Sequence, residues 1–147
     1  MNYTSLRASP RGLLRNIGWF VVILMVLSAA AFAAEKYPSP KGTAVNDFAG
    51  VIDAANAAKT EALANEILLK TGVAVVVVTL SELGPAEDIN LYINGLYKAW
   101  GIGKKGEDKG VLILLAAKER KIRIETGYGV EGVLTDGKVG EILDKLV

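Results

Sequence analysis

The alternation of apolar and polar positions separates an apolar front from a patterned remainder. Residues 17–34, "IGWFVVILMVLSAAAFAA", carry no charge and stand apart from everything that follows. In "DAANAAKTEALANEILLKTG", residues 53–72, Ala54, Ala58, Ala62, Leu63 and Ile67 recur at helical spacing, with Asp53 as N-cap and Gly72 as C-cap glycine. "VAVVVVTL", residues 73–80, is continuously apolar and β-branched, the pattern of a strand covered on both faces. A second helix is predicted from residue 85 to residue 100. Pro85 suits its first turn, Glu87 and Asp88 suit the positive end of its dipole, and Ile89, Ile93, Leu96, Tyr97 and Trp100 form one apolar face. The polar loop "GIGKKGEDKG" then leads into a second buried strand, "VLILLAA", residues 111–117.

Strand, helix and strand compose a βαβ unit, which predicts two parallel strands joined by a right-handed crossover. The next connection, "KER", is too short for a crossover. After it "KIRIET" alternates, Ile122 and Ile124 to one side and Lys121, Arg123 and Glu125 to the other, as in an antiparallel edge strand with a charged outer face. A last helix is predicted from "TDGKVGEILDKLV", with Val139, Ile142, Leu143 and Leu146 on one stripe and Thr135 or Asp136 as cap. "AVNDFAGVI", ahead of the first helix, reads as an irregular or short extended segment lying against the core. The fold class is α/β: a three-layer αβα sandwich around a small mixed sheet, with a parallel βαβ core and an antiparallel edge strand.

Composition changes the picture at the front. Arg7, Arg11 and Arg15 precede the apolar run, and Ala31-Phe32-Ala33 offers the small-x-small pattern of a processing site, so residues 1–34 read as an export signal, with a retained membrane anchor as the alternative. The expected location is the periplasm or the outer face of the cytoplasmic membrane. "EKYPSPKGT", residues 35–43, opens a linker over residues 35–44, ahead of a domain over residues 45–147. Without the leader's arginines, 14 basic residues face 16 acidic ones, a formal charge of −2, and nucleic acid is not expected as a partner. The chain has no histidine and no cysteine. Ser-His-Asp and Cys-His nucleophilic systems, and zinc sites built on imidazole or thiolate, are therefore excluded within it. Carboxylate, hydroxyl, amine and backbone remain, and such ligands suit calcium or magnesium.

"GYGVEG", residues 127–132, spells the G-x-G-x-x-G of dinucleotide-binding turns. Its context is wrong for that role. The preceding strand is a polar-faced edge, Val133-Leu134 intervene before any helix cap, and Glu131 would repel phosphate, so no nucleotide is expected. The glycines instead suit a tight reversal through positive φ, with Tyr128 and Val130 packing inward.

Three stretches, "VNDFAGVI", "WGIGKKGEDKGVLILLA" and "RKIRIETGYGVEGVLTD", taken together in order and spacing, resemble the TPM domain family over roughly residue 45 to the end of the chain. The family's name joins a thylakoid lumen phosphatase, a photosystem II-associated protein and a nematode receptor modulator. The resemblance implies an exported or lumenal αβα sandwich, often membrane-anchored, with phosphatase activity, divalent-cation binding, or assembly and repair of membrane complexes claimed for different members. Many bacterial relatives continue into a further helix, a membrane span and a glycine-rich tail. Against that pattern an exposed apolar groove is expected beside the last helix.

The topology brings Glu125, Glu131 and Asp136 near Glu107 and Asp108, on the edge where the parallel strands begin. This is opposite the carboxyl-end crevice that open α/β sheets normally use. Glu125, Glu131, Asp136 and Asp108 are the candidate ligands for Ca2+ or Mg2+; their spacing does not follow an EF-hand. Asp47 and Asp136 are the candidate catalytic residues, with a turn-capping role as the alternative for Asp47. Haloacid-type aspartyl chemistry expects an aspartate directly after the first core strand, where Ser81-Glu82 stands. A metal-assisted phosphatase acting on phosphopeptides would use Asp47, Glu131 and Asp136, with Arg123 or Lys105 holding phosphate. The leading expectation is a non-catalytic accessory domain that binds a divalent cation and a membrane-protein complex. A remnant without activity is the third reading, and oligomeric state is left open by the sequence.

Overall fold

A computed structural model describes residues 37–84, 88–103 and 106–146. The leader lies outside the described residues, and no helix among those described is long and apolar enough to cross a membrane. The elements are β1 (Val45–Asp47), α1 (Ala54–Thr71), β2 (Ala74–Leu80), α2 (Ile89–Trp100), β3 (Gly110–Ala116), β4 (Lys121–Thr126) and α3 (Asp136–Leu146). One sheet holds the strands in the order β1-β2-β3-β4. β1, β2 and β3 run parallel, and β4 pairs antiparallel with β3. "AVNDFAGVI" thus supplies a true strand, three residues long, which adds a parallel edge to the expected βαβ core.

Strand periodicity splits the core into two layers. Val78, Leu80, Leu112, Leu114 and Ala116 point to one face and pack under Ile89, Tyr92, Ile93 and Leu96 of α2. Val111 and Ile124 point to the other, with Val73, Val75 and Ile113, under Val139 and Leu143 of α3. α1 shares that second face: Ile67 and Thr71 border a groove floored by Val73, Val75 and Val111. The result is α2, sheet, then α1 with α3. Strand order advances in one direction from β1 to β3 while the two connecting helices lie on opposite faces, so the two crossovers have opposite hands. The right-handed rule holds for only one of them.

Caps formed where the sequence placed them on α1. Asp53 accepts from the Asn56 N–H and Gly72 closes the helix in the left-handed region at φ 73°. The buried stripe is rotated from the expected one. Ala64 is buried and Ala57, Glu61 and Ile67 are half-buried, while Ala54, Ala58, Ala62 and Leu63 face solvent. Glu61 explains the rotation: its two carboxylate oxygens accept from the N–H groups of Ala44 and Val45, each at 3.0 Å, and so turn its side of the helix toward β1. α2 starts at Ile89, with Asp88 accepting from the N–H groups of Asn90 and Leu91, four residues later than Pro85 suggested. Residues 85–87 lie outside the described residues.

The expected linker is partly built into the domain. Tyr37 lies edge-on to Tyr92, ring centroids 5.1 Å apart, and Trp100 Nε1 donates to the Pro38 carbonyl at 2.9 Å. The expected charged outer face of β4 is also turned inward. Arg123 pairs across from Leu114 and Glu125 from Leu112, on the α2 side of the sheet, and both are half-buried.

Candidate functional site

The amino ends of the parallel strands and the carboxyl end of β4 form one edge, and most of the candidate carboxylates gather there. The Gly127 N–H donates to the Gly110 carbonyl at 2.9 Å and the Gly129 N–H to the Asp108 carbonyl at 3.2 Å, so the glycine run is stitched to the loop entering β3. Those glycines work by closeness. A Cβ on Gly127 would collide with the Asp108 carbonyl and the Tyr97 hydroxyl, and one on Gly129 would collide with the Glu107 carbonyl. The expectation of positive φ is not met, since the left-handed glycines lie elsewhere, among them Gly103 and Gly106. Three i to i+3 bonds, from the N–H groups of Val130, Glu131 and Val133, and one i to i+4 bond from Leu134 then carry the chain through residues 127–134. They bury Val130 and leave Tyr128 82% exposed, so of the two side chains expected to pack inward only Val130 does.

Two adjoining cavities open at this edge. One, of about 360 Å³, is lined by Arg123, Glu125, Thr126, Glu131, Asp136 and Val139, among others. The second, of about 310 Å³, is bordered by Asn94, Tyr97, Lys98, Asp108, Glu125 and Glu131. Glu125 and Glu131 belong to both. Asn94, on the inner side of α2, donates to Glu125 Oε1 at 2.8 Å and fixes one of its oxygens. Among the described residues the carboxylates of Asp108, Glu131 and Asp136 make no hydrogen bond or ion pair. Burial, then the negative charges of Asp108 and Glu125, push the Tyr97 phenol above its ordinary pKa, so it stays a neutral hydroxyl. Among the described residues its oxygen and Arg123 Nε are buried without a hydrogen-bond partner.

The arrangement gathers oxygen ligands without making a cage. Among the described residues no three carboxylates stand close enough to enclose one ion. Glu125 and Glu131 border the same two cavities, and carboxylate oxygen is the ligand type that magnesium and calcium take.

Asp47 is at the other end of the sheet: its register runs through Thr79 and Leu115 to Ile122, so Glu125 is three strands over, about 14 Å, and three residues along, about 10 Å at the usual rise. It accepts from the N–H groups of Gly50 at 2.9 Å, Val51 at 3.2 Å and Ile52 at 3.0 Å, and from the Thr79 hydroxyl. The Thr79 bond first, then the backbone N–H groups, outweigh desolvation and lower its pKa. Asp47 therefore caps a turn, the alternative role for it, and stands apart from Asp136 in the sheet. The metal-assisted set of Asp47, Glu131 and Asp136 does not converge. Lys105 lies outside the described residues, which leaves Arg123 as the described cation bordering Glu131 and Asp136. Sequence reasoning missed Asn94; a lone amide among the apolar residues of a helix that covers a charged strand is the signal that would have found it.

The family model of the TPM domain matches residues 45–147. The chain belongs to the TPM domain family. Among solved structures, the N-terminal domain of a protein from P. gingivalis, determined by solution NMR, is 32% identical with a TM-score of 0.63, covering 70% of this chain. This chain spans 65% of that structure. The N-terminal domain of a Corynebacterium glutamicum protein superposes with a TM-score of 0.55 at 19% identity, over 78% of this chain and 75% of its own, and supports the fold alone. No curated protein matches the sequence. The TPM match begins at β1, so the docked segment at Tyr37 and Pro38 precedes it.

Proposed function

We propose that this TPM domain is an exported, non-catalytic accessory module that takes up a hydrated divalent cation at the β4 edge and contacts a membrane-protein complex during its assembly or maintenance. One observation carries the reading: Glu125 and Glu131 line two adjoining cavities at once, with Asp108 and Asp136 at the far sides. Glu125 is half-buried while Asp108, Glu131 and Asp136 are exposed, so a divalent cation held by carboxylate oxygens here keeps water as its remaining ligands. Export rests on the arginine-flanked apolar leader, and the partner class rests on family membership.

Calorimetric titration of the full chain with calcium tests the cation. The expected result is weak, saturable heat that falls at least fivefold in affinity on Glu131→Gln. No heat from the wild type, or an unchanged isotherm in the variant, removes the site. Arg123 beside Glu131 and Asp136 is the one feature that favours a metal-assisted phosphatase, because a guanidinium can grip a phosphoryl group. Turnover of a generic phosphate ester that needs magnesium and disappears with Asp136→Ala would replace the accessory reading with that one.

A further inference from the structure

Residues 37–41 lie across α2 with their side chains in specific seats. Gly95 makes the principal one: a Cβ there would collide with the Tyr37 hydroxyl, so this glycine in mid-helix leaves a notch of tyrosine width. The Tyr37 ring meets the edge of Tyr92. Phe48 and Trp100, edge to face with centroids 6.5 Å apart, form the adjoining wall. Trp100 Nε1 donates to the carbonyl of Pro38, and Lys41 Nζ sits 4.8 Å over the Phe48 ring. An aromatic-lined surface whose indole N–H donates to the carbonyl of a proline-spaced, extended segment is the chemistry by which peptide-binding modules take proline-rich ligands. Two prolines, Pro38 and Pro40, reduce the entropy such a segment loses on docking.

The attachment is that of a ligand more than of a core element. Residues 38–41 belong to no strand or helix, and residues 39–43 are exposed. Gly42, at φ 79° and with open space around it, separates the segment from Ala44 and Val45, which Glu61 holds in place. Lys41 ties the end of the segment to β1, its N–H donating to Asn46 Oδ1 at 2.7 Å and its Nζ to the Asp47 carbonyl at 2.6 Å, so the seats on α2 are those of Tyr37 and Pro38.

We infer that the Gly95 face of α2 is a recognition groove for an extended Tyr-Pro segment, filled in cis by Tyr37 and Pro38 of this chain and open to the same chemistry in trans once they leave. The groove is independent of the carboxylate edge and of the function proposed there.

The test uses the full chain and a fluorescein-labelled peptide of sequence EKYPSPKG, followed by anisotropy. Tyr37→Ala with Pro38→Ala empties the groove and is expected to bind the peptide at least tenfold more tightly than the wild type, whose groove is occupied. Adding Gly95→Ala refills the notch and is expected to abolish that gain. An emptied chain that binds no better than the wild type, or a gain that survives Gly95→Ala, overturns the inference. Should the emptied chain fail to fold, hydrogen exchange at the wild-type Trp100 indole decides. Release of the segment predicts exchange at least a hundredfold faster than at the Ile93 and Leu96 amides, and equal rates make the segment a fused part of the core. A wild-type dimer that dissociates on Tyr37→Ala would seat the segment in a second copy and overturn the cis assignment.

Discussion

At the carboxyl end of β1, Asp47 accepts three backbone N–H groups and the Thr79 hydroxyl; at the opposite edge of the same sheet, Glu131 makes no hydrogen bond among the described residues and borders two cavities. The sequence offers both as acids next to glycines and hydrophobics. What separates them is where backbone donors are left over. The turn after β1 leaves the N–H groups of residues 50–52 pointing inward, and a carboxylate there is consumed by structure. In the loop at residues 127–134 the N–H groups of Gly127, Gly129, Val130, Glu131, Val133 and Leu134 donate to backbone carbonyls, and among the described residues none donates to the Glu131 carboxylate, so that acid is left for solvent, an ion or a partner. A carboxylate's availability is set by the accounting of nearby backbone donors more than by its exposure.

The comparison breaks most severely at Gly127. The available carboxylates at that edge depend on the close approach of the glycine run to the Asp108 carbonyl, and Gly127→Ala drives a methyl group into that carbonyl and the Tyr97 hydroxyl, of which the backbone group cannot swing aside. A loss of about 3 kcal/mol in urea unfolding is expected, at the upper end for overpacking. A variant within about 0.5 kcal/mol of the wild type would mean that the edge tolerates separation of the two loops, and the shared cavities would lose their structural basis.

The next effect belongs to Asp47. Asp47→Ala leaves the donors of residues 50–52 and Thr79 without their acceptor, at a cost of about 2 kcal/mol, held to that figure because the site keeps contact with water. Its pH dependence follows from the direction of its shift. The folded pKa lies below the ordinary aspartate value, so the stabilisation is fully present above that ordinary value and is lost as pH falls through the lower, folded one. Asp47→Asn should flatten the acid limb of the wild-type stability curve below about pH 4 and leave its shape at neutral pH unchanged. Parallel acid limbs in the two proteins would show that Asp47 is not the buttress described.

Much of the fold was legible because β-branched runs and glycine caps allow few alternatives. "VAVVVVTL" and "VLILLAA" become β2 and β3, parallel as the intervening helix demands, and Asp53 and Gly72 bound α1 as cap chemistry requires. The face of α1 was not legible. So many of its positions are alanine that periodicity barely distinguishes one side from another, and a long-range contact, Glu61 with the start of β1, decides the orientation. The glycine run was half legible. Its edge placement and its lack of dinucleotide context follow from the neighbouring pattern, whereas its reason for being glycine lies in loop residues about twenty positions earlier, Glu107 and Asp108, which no local rule reveals. The gathering of Glu125, Glu131 and Asp108 followed from strand direction alone. The exclusion of Asp47 followed from the same topology once β1 was seen to run parallel with β2.

The smallest effect sharpens the contrast most. Glu131→Gln removes a charge that stabilises nothing among the described residues, so in the absence of divalent ions its unfolding free energy should stay within about 0.5 kcal/mol of the wild type. With calcium at about ten times its dissociation constant, an ion that binds only the folded chain adds about 1.4 kcal/mol to the wild type by mass action. The variant should show little of that gain. Asp47→Asn, destabilised at neutral pH, should nonetheless gain the full increment, because its turn is three strands away from Glu125 and at the other end of the sheet. If calcium raises all three proteins equally, the ion is acting elsewhere or on general charge, and the two ends of the sheet do not differ in the way their hydrogen bonds imply. If only Glu131→Gln fails to respond, the acid that contributes nothing to folding is the one that binds the ion.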